Sequence, residues 1–437
     1  MDKLFNPKKI AVIGASHDKT KVGHIIFENL LKKKKKTYPV NVKTKKILGE
    51  KVYPSVLDIK GKIDLAILAV PAKIVPSVMK EVVEKEIPYT IVISSGFSET
   101  GNKKLEKEVN EIARGKTRVL GPNCIGLINP HKKVNASFFE GMPSSGNVAF
   151  ISQSGAIGIA LLDWVMENNI GFSKFVSVGN SIDIDFDDLI DYLNKDKKTK
   201  SIFVYMEAVK EGKNFLNSLK KSKKPIYVMK AGNTKAGEKA AFSHTAALAT
   251  EDEIYSGVIK QGGATRVDTL QQLFKIAEAH TVNQIPKGNK GVVVTNAGGL
   301  GVIISDAFER SGLEFAKIPK TKKDKLNKIL PPLWSKGNPV DIVGDATPKR
   351  YEKTIKTLKG KYLDFIIVML TPQKMSEPEK TANAIVKLNK KSKVPIYTCF
   401  MGGDQISLAK NIFRKNKIVH FDEPEDAAKV INKMVIN

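Results

Sequence analysis

The 437-residue sequence contains only two cysteines, Cys124 and Cys399, which lie far apart and form no CxxC pair. A disulfide framework and a cysteine-based zinc site are therefore both excluded. The sequence also lacks any run of about 20 consecutive apolar residues, the length needed to span a bilayer. Its start, Met1-Asp2-Lys3, leads into a globular pattern without the apolar core of a signal peptide. We therefore expect a cytoplasmic protein that does not interact with membranes.

Negative charge is scarce, because 45 acidic residues face 72 basic ones and the formal net charge is +27. Such an excess attracts polyanions, including nucleic acid and phosphorylated ligands. The lysines are nevertheless scattered along amphipathic segments, and only Lys32 to Lys36 form an uninterrupted run. No helix-turn-helix, zinc-finger or RNA-binding aromatic motif accompanies them. The pattern is typical of solvated helix faces, so we expect no nucleic-acid partner.

What the sequence does have is enough apolar material for several cores. Hydrophobic residues make up 42% and charged residues 27%, and the mean hydropathy is −0.19, which excludes global disorder. At roughly 150 residues per domain, the length predicts about three domains. Turn-forming clusters at residues 143–146 and 283–289 place the boundaries, giving segments 1–143, 144–285 and 286–437.

Each segment alternates short apolar β-branched runs with helical-period stretches, which is typical of parallel α/β units. In the first segment the predicted strands are Ile10–Ile13, Leu65–Val70, Thr90–Ile93 and Arg118–Leu120, with a further strand within Ile47–Val52. In the second they are Val148–Ile151, Lys174–Val176, Ile202–Tyr205, Ile226–Met229 and Arg266–Val267. In the third they are Val292–Thr295, Phe365–Met369, Ile396–Phe400 and Ile418–Phe421.

An internal repeat links the second and third segments. The stretch from Ile151 to Ile159 matches Val294 to Val302 position by position. Further along, Gly179-Asn180-Ser181-Ile182-Asp183 parallels Gly337-Asn338-Pro339-Val340-Asp341. Two matching motifs in the same order predict two copies of one flavodoxin-like domain. The predicted fold class is therefore α/β, a Rossmann-like domain followed by two flavodoxin-like parallel-sheet domains.

The first segment has loops suited to a phosphorylated ligand. Its first strand ends in Gly14-Ala15-Ser16, and Lys21-Val22-Gly23 precedes a helix beginning near His24. A glycine turn before a helix lets backbone N–H groups approach a phosphate. The loops after the next strands, starting at Val70-Pro71 and Ser94-Ser95-Gly96, should converge on the same crevice, as should the turn that carries Asn123. The GxGxxG spacing is absent, so a nicotinamide dehydrogenase is disfavoured.

The second segment opens with Ser152-Gln153-Ser154-Gly155, a strand-to-helix turn suited to phosphate or a similar anion. His244 stands among small residues, which suits an imidazole presented by a mobile loop. Glu207 directly follows an apolar strand and can hold one imidazole nitrogen, making the other a better nucleophile. No second histidine lies at ligand spacing, so no metal site is predicted. The other histidines are interpreted as surface or core residues: His17, His24, His131, His280 and His420.

These motifs, in this order and along the whole chain, resemble the ADP-forming acyl-CoA synthetases of the succinyl-CoA synthetase superfamily, and most of all the α subunit of that family. The resemblance implies that acyl-CoA, with acetyl-CoA as the expected thioester, phosphate and ADP are converted to carboxylic acid, CoA and ATP. The reaction would pass through an acyl phosphate and a phosphohistidine. The family usually has glycines where Ala246 and Thr250 stand here, which bears on loop mobility and not on the chemistry.

The same resemblance implies roles for individual residues. His244 would be the phosphorylated nucleophile and Glu207 the carboxylate that orients it. The phosphoryl group would bind at Ser152, Gln153, Ser154 and Gly155. CoA would bind at Gly14, Ala15, Ser16, Lys21, Val22, Gly23, Val70, Pro71, Ser94, Ser95, Gly96 and Asn123, with its thiol end towards Asn123.

The family reaction also needs a nucleotide site, usually an ATP-grasp domain, and no segment here is left over for one. The resemblance therefore implies a separate ATP-grasp β subunit in an α2β2 assembly. ADP or ATP, with magnesium, would be bound mainly by that subunit. A second hypothesis is a non-catalytic regulatory protein that binds CoA or acyl-CoA. Such a protein would keep the first-segment loops but would not need His244 and Glu207, so their joint presence favours the enzyme.

Overall fold

The computed structural model describes residues 1–237 and 251–435. The chain divides into two compact units, Met1–Asp268 and Thr269–Asn437. The first unit holds a five-stranded and a seven-stranded sheet, and the second is built around a further five-stranded sheet. The predicted α/β class is confirmed. The division into three domains at residues 143 and 285 stays a prediction.

The first sheet lies in the N-terminal part of the first unit. Its strands are β1 (Lys9–Ile13), β2 (Lys36–Val40), β5 (Leu65–Leu68), β6 (Tyr89–Val92) and β7 (Arg118–Leu120), and a separate pair is formed by β3 (Lys46–Ile47) and β4 (Glu50–Lys51). The helices are α1 (Asp2–Phe5), α2 (Val22–Lys32), α3 (Val75–Glu84) and α4 (Lys103–Ala113). The order across the sheet is β2-β1-β5-β6-β7, and all these pairs are parallel. Every residue of β5 is buried, as an interior strand with both faces covered requires.

The second sheet of this unit also runs mostly parallel. Its strands are β8 (Gly126–Asn129), β9 (Val134–Ser137), β10 (Ser145–Ser152), β11 (Phe172–Ser177), β12 (Ser201–Met206), β13 (Ile226–Lys230) and β14 (Thr265–Arg266). The helices are α5 (Gly155–Glu167), α6 (Phe186–Lys195), α7 (Gly212–Lys221) and α8 (Asp252–Gln261). The order is β14-β13-β12-β10-β11-β8-β9, and the hairpin β8–β9 joins the sheet antiparallel to β11.

The second unit repeats the α/β pattern. Its strands are β15 (Lys290–Thr295), β16 (Glu314–Phe315), β17 (Val340–Asp341), β18 (Phe365–Leu370) and β19 (Ile396–Phe400). Its helices are α9 (Leu270–Thr281), α10 (Gly298–Ser311), α11 (Lys320–Ile329), α12 (Pro348–Leu358), α13 (Pro378–Asn389), α14 (Ser407–Lys415) and α15 (Pro424–Met434). The order is β16-β15-β18-β19, with β17 also paired to β15, and the pairs are parallel.

Two strand predictions were wrong. The strand expected within Ile47–Val52 is instead the short antiparallel pair β3–β4, and the strand that completes the first sheet is β2. The lysine run and Pro39 hide the strand character of β2, and an edge position is where a sheet tolerates proline. The segment Ile418–Phe421 forms a single bridge, between Thr398 and His420, and not a strand.

The described residues contain neither a membrane-spanning helix nor a group of metal ligands. None of the helices in residues 1–237 and 251–435 is both long and apolar enough to cross a bilayer. Within the same residues, no group of three or more histidine, cysteine, aspartate or glutamate side chains is arranged as a ligand set for a metal ion.

Candidate active site

A cavity of about 550 Å³ lies in the first unit, where the loops after β5, β6, β10 and β12 meet. The predicted site residues that line it are Val22, Val70, Pro71, Ser94, Ser95, Asn123, Gln153, Ser154, Gly155 and Glu207. The other predicted residues do not line it: Gly14, Ala15, Ser16, Lys21 and Gly23 at the β1–α2 turn, Gly96 in the loop after β6, and Ser152 at the end of β10. His244 lies outside the described residues. The predicted CoA and phosphate loops therefore share one cavity, while the role of each residue stays a prediction.

The turn between β1 and α2 is close-packed around two glycines. Gly14 has φ +93°, and a Cβ atom there would lie 2.3 Å from the carbonyl oxygen of Ala69. A Cβ atom on Gly23 would lie 2.0 Å from the carbonyl oxygen of Gly14. Contacts this short exclude any side chain without movement of backbone. Gly23 therefore lets the start of α2 pack directly against the end of β1, and Gly14 lets this turn pack against the backbone that follows β5.

Helix α2 begins at this turn with a free approach for an anion. Its N-cap residue Lys21 makes no side-chain capping hydrogen bond within the described part of the chain, and its first turn contains no acidic residue. Val22, the first helical residue, lines the cavity. A helix start carries partial positive charge and N–H groups that point outward. The start of α2 can therefore bind a phosphate group.

The side chains around the β1–α2 turn hold its shape. Asn41 Nδ2 donates a hydrogen bond of 2.7 Å to the carbonyl oxygen of Ala15, and His24 Nδ1 lies 2.8 Å from the carbonyl oxygen of Ser16. Ser16 Oγ accepts from the backbone N–H of Asp18 at 3.1 Å. His24 is buried and serves this turn, in agreement with its interpretation as a core residue.

The loops after β5 and β6 are tied to each other and to Asn123. Ser94 Oγ donates to the carbonyl oxygen of Val70 at 2.5 Å, and the backbone N–H of Asn123 donates to the carbonyl oxygen of Ser94 at 2.9 Å. Gly96, with φ +109°, donates its N–H to Glu99 Oε1 at 2.5 Å. Hydrogen bonds therefore join these loops, which line neighbouring parts of the cavity.

The start of α5 forms the opposite wall. Ser154 is its N-cap and accepts a hydrogen bond from the N–H of Ile157 at 3.5 Å, while buried Ser152 Oγ donates to the carbonyl oxygen of Ser154 at 2.7 Å. A Cβ atom on Gly155 would meet Ile125 at 3.6 Å, an ordinary contact. The first turn of α5 contains no acidic residue. This helix start can also stabilise an anion in the cavity.

Gln153 connects this turn to the end of β12. Its Oε1 accepts hydrogen bonds from the backbone N–H of Glu207 at 2.7 Å and from that of Ala208 at 3.1 Å. The backbone N–H of Gln153 donates to the carbonyl oxygen of Tyr205 at 3.0 Å. The amide oxygen therefore acts as a brace that fixes the backbone of Glu207. Sequence reasoning assigned Gln153 to phosphate, and a contact of its amide nitrogen with phosphate stays a prediction.

Glu207 is half-buried and lines the cavity directly after β12. Its carboxylate affects the neighbouring phenol, because burial and the charge of Glu207 raise the pKa of Tyr205. Glu207 thus brings a carboxylate to the wall of the cavity. Its predicted partner His244 lies outside the described residues, so the pairing stays a prediction.

Lys230 is a charged residue at the same sheet edge that sequence reasoning missed. It ends β13, opposite Met206 of β12, and is buried. Its Nζ donates to the carbonyl oxygens of Ala231 at 2.5 Å and Gly232 at 3.2 Å, and lies 4.7 Å from the centre of the Tyr255 ring. The lysine at the end of an otherwise apolar strand was the available signal. It anchors the backbone that leads towards the histidine segment.

Two further cavity residues, Gly179 and Asn180, belong to a motif noted only as part of the repeat. Gly179 has φ +57°, and a Cβ atom there would lie 2.1 Å from the carbonyl oxygen of Pro122. Asn180 donates its backbone N–H to that same oxygen at 2.9 Å. The motif therefore packs the second sheet's loop against the turn that carries Asn123.

The second unit contains a counterpart of the Gln153 brace. Asn296 follows β15 as Gln153 follows β10, and its Oδ1 accepts the backbone N–H of Thr371 at 3.0 Å. Thr371 follows β18, so it stands where Glu207 stands in the first unit. Near the start of α10, a Cβ atom on Gly298 would lie 3.2 Å from Asp341 Oδ2. The second copy thus keeps the brace and lacks the carboxylate after the strand.

Of the other histidines, His280 and His420 are buried and His131 is half-buried. Burial lowers the pKa of His280 to about 4 and that of His420 to about 3. His420 Nδ1 lies 3.1 Å from Thr398 Oγ1, and His131 Nε2 lies 2.7 Å from the carbonyl oxygen of Gly146. These contacts agree with the interpretation of the three residues as core or surface histidines.

Three family models match consecutive parts of the chain. A CoA binding domain matches residues 8–130, a succinyl-CoA ligase like flavodoxin domain matches 145–280, and a ligase-CoA domain matches 291–413. The matches follow the order predicted from the motifs.

Individual proteins resemble the chain over almost its whole length. Acetate–CoA ligase (ADP-forming) II subunit alpha of Pyrococcus furiosus is 39% identical, with 98% of this chain and 96% of the relative covered. Acetate–CoA ligase (ADP-forming) of Methanocaldococcus jannaschii is 41% identical over 98% of this chain, which spans 62% of that longer relative. The solved dinucleotide-forming acetyl-coenzyme A synthetase 1 of Ca. Korarchaeum cryptofilum, in complex with phosphate and ADP, is 37% identical with a TM-score of 0.94, and 99% of this chain and 96% of that chain are covered. The resemblance inferred from the motifs is confirmed, and the chain belongs to the family of ADP-forming acid–CoA ligases.

Proposed function

We propose that this chain is the subunit of an ADP-forming acid–CoA ligase that binds acyl-CoA and phosphate and carries the phosphohistidine. With its partner it converts acyl-CoA, phosphate and ADP to carboxylic acid, CoA and ATP. The observation that carries the proposal is the single cavity lined by Val22 and Asn123 on one side and by Ser154 and Glu207 on the other. A regulatory protein that only binds CoA would not need the wall that carries Ser154 and Glu207. Acetate is the proposed acid, since the relatives from Pyrococcus furiosus and Methanocaldococcus jannaschii are both named acetate–CoA ligases.

The first step joins phosphate to the acyl group. A phosphate oxygen attacks the thioester carbonyl carbon, the C–S bond breaks, and the CoA thiolate leaves as acyl phosphate forms. Phosphoryl chemistry depends on positioning and charge stabilisation more than on covalent help from the protein. The start of α5, with Ser154 and Gly155 at the cavity, supplies backbone N–H groups and partial positive charge for the phosphate oxygens.

The second step moves the phosphoryl group to His244. An imidazole nitrogen attacks phosphorus, the bond from phosphorus to the acyl oxygen breaks, and the carboxylate leaves. Glu207 accepts the N–H of the other ring nitrogen and stabilises the cationic ring. The brace from Gln153 holds Glu207 for this task.

CoA is proposed to bind through its diphosphate at the Gly14–Ser16 turn and the start of α2. Lys21 adds positive charge at that helix start. The pantetheine arm would then run past Val70 and Ser94 into the cavity, which brings the thioester to the α5 side.

The third step transfers the phosphoryl group from His244 to ADP, and we assign it to a partner subunit. Supporting this, the Pyrococcus furiosus relative is named an alpha subunit, and the Methanocaldococcus jannaschii relative extends well beyond the part matched here. An ATP-grasp β subunit in an α2β2 assembly, holding ADP and its magnesium, is the proposed form. The second unit, which has the fold but not the carboxylate, is proposed to supply much of the docking surface.

The test is ATP formation by the purified chain, alone and with an ATP-grasp subunit of the family. The mixture receives acetyl-CoA, phosphate, magnesium and ADP, and ATP is followed by luciferase. We expect sustained ATP formation only with both subunits, and a loss of about 10²-fold or more for Glu207→Gln, the scale of an orienting partner. Sustained ATP formation by the chain alone would contradict the assignment of the third step.

A further inference from the structure

Two carboxylates lie behind the cavity wall and fix the direction of an amide. Asn180 Nδ2 donates to Glu99 Oε2 at 2.6 Å, to Glu106 Oε2 at 2.8 Å and to Ser98 Oγ at 3.1 Å. An ionised carboxylate only accepts hydrogen bonds. The nitrogen of the Asn180 amide must therefore face the carboxylates, and its oxygen must point the other way.

Glu99 stays ionised in this position. Burial acts to raise the pKa of its carboxyl, but hydrogen bonds from Asn180 and from the backbone N–H groups of Gly96 and Phe97 outweigh it and lower the pKa. Glu106 Oε2 also accepts from Ser98 Oγ at 2.6 Å. The surroundings thus keep Glu99 as a hydrogen-bond acceptor, and Glu106 Oε2 accepts hydrogen bonds beside it.

The direction of Asn180 determines the direction of Asn123. Asn180 Oδ1 lies 3.3 Å from Asn123 Nδ2, and an oxygen acceptor there requires that Asn123 donate. The backbone of Asn123 is held as well, by its hydrogen bond to Ser94 and by a left-handed conformation with φ +58° that asparagine tolerates. Asn123 has little freedom to turn its amide over.

We infer that Asn123 presents its amide oxygen to the cavity and so recognises a hydrogen-bond donor on the ligand, with Glu99, Glu106 and Asn180 as positioning residues. The inference about the ligand rests on the proposed function. At the reactive end of free CoA the donors are the thiol S–H and the cysteamine amide N–H, whereas an acyl-CoA offers the amide N–H alone. In either case the amide oxygen fixes the reactive end of the pantetheine arm near Ser154 and Glu207, which line the same cavity.

The first test needs no ligand and replaces the Asn123 amide by a carboxyl group, Asn123→Asp. Only the protonated form can donate to Asn180 Oδ1, so the folded protein raises the pKa of the new carboxyl above its ordinary value of about 3.9. Stability relative to wild type is then greatest in acid and is lost as pH rises through the raised pKa. We expect the difference in thermal midpoint between the variant and wild type to grow as the pH rises from 4 to 8. A difference independent of pH over that range would overturn the inferred direction of the amide.

The second test measures CoA binding by titration calorimetry. Wild type should bind CoA, and Asn123→Asp should bind it about tenfold more weakly at pH 8, because the ionised carboxyl group is repelled by Asn180 Oδ1 and leaves its position. This loss should shrink as the pH falls and the carboxyl group takes up a proton. Glu106→Gln removes one of the two carboxylates that hold the Asn180 amide and should weaken binding about threefold. The matched control is Glu108→Gln, on the exposed side of the same helix, which should bind as wild type does.

The source of the donor is identified by comparing CoA with S-methyl-CoA, which lacks the S–H. If Asn123→Ala weakens CoA binding but not S-methyl-CoA binding, the donor is the thiol, and if it weakens both equally, the donor is the pantetheine amide. Unchanged binding of both ligands by a folded Asn123→Ala protein would overturn the inference. Wild type that fails to bind either ligand would defeat the proposed function instead, while the pH dependence of stability would still decide the direction of the amide.

Discussion

Replacing Gln153 by alanine should damage the active site without touching any group that reacts. Its amide oxygen is the acceptor for the backbone N–H groups of Glu207 and Ala208, at 2.7 and 3.1 Å. Leaving a buried donor unsatisfied costs about 1–3 kcal/mol, and here two half-buried donors are affected. We expect a loss of about 2–4 kcal/mol in the free energy of unfolding. A displacement of Glu207 by about 1 Å would slow phosphorylation by about 10²-fold.

The assay is single-turnover transfer of labelled phosphate to the protein in the presence of acetyl-CoA, beside urea unfolding of each variant. Gln153→Glu keeps an oxygen acceptor for the two backbone N–H groups and should retain most of the stability. Asn296→Ala removes the equivalent brace in the second unit and should show a similar loss of stability. If folded Gln153→Ala protein became labelled at the wild-type rate, the reasoning about the brace would be refuted.

Two further predictions concern packing and pH. Gly23→Ala should unfold at lower temperature and bind CoA more weakly than wild type, because the new Cβ would lie 2.0 Å from the carbonyl oxygen of Gly14. The control is Gly212→Ala, which should unfold at the wild-type temperature because a Cβ atom there has open space around it. His280 is buried neutral with its pKa lowered to about 4, so the unfolded chain binds its proton more tightly and stability should fall as pH drops from about 6.5 towards 4. His280→Phe should reduce that slope in urea unfolding, and an unchanged slope would show that other groups cause it.

The strands that sequence reasoning placed correctly are those with the simplest physical signal. Runs such as the one that forms β18 are buried on both faces, so every position is apolar and the run stands out. Strand β2 was missed because an edge strand tolerates lysine and proline, which read as a loop. The residues from Ile418 to Phe421 are also buried and mostly apolar, but they form a single bridge. Apolar character reports burial and does not by itself report pairing.

The site was predictable in outline for the same kind of reason. Loops after parallel strands meet at one edge of a sheet, so Val70 and Ser94 could be expected at one crevice. That Gln153 and Glu207, which follow strands of the other sheet, line the same cavity could not be predicted from this rule. The use of the Gln153 oxygen as a brace could not be foreseen, because it depends on a hydrogen bond between residues 54 apart in the chain. Asn180 was noted only for its place in a repeat, since its polar partners come from the loop after β6 and from α4, which are distant in the chain.

The claim that most of this account depends on is that His244 carries the phosphoryl group. The direct measurement is to incubate the chain with acetyl-CoA and labelled phosphate, digest it, and locate the label by mass spectrometry. A phosphohistidine is stable in alkali and lost in acid, so the account predicts alkali-stable, acid-labile label on the peptide that contains His244 and none on His244→Ala protein. Label of the same kind on the alanine variant, or on a different peptide of the wild type, would contradict it.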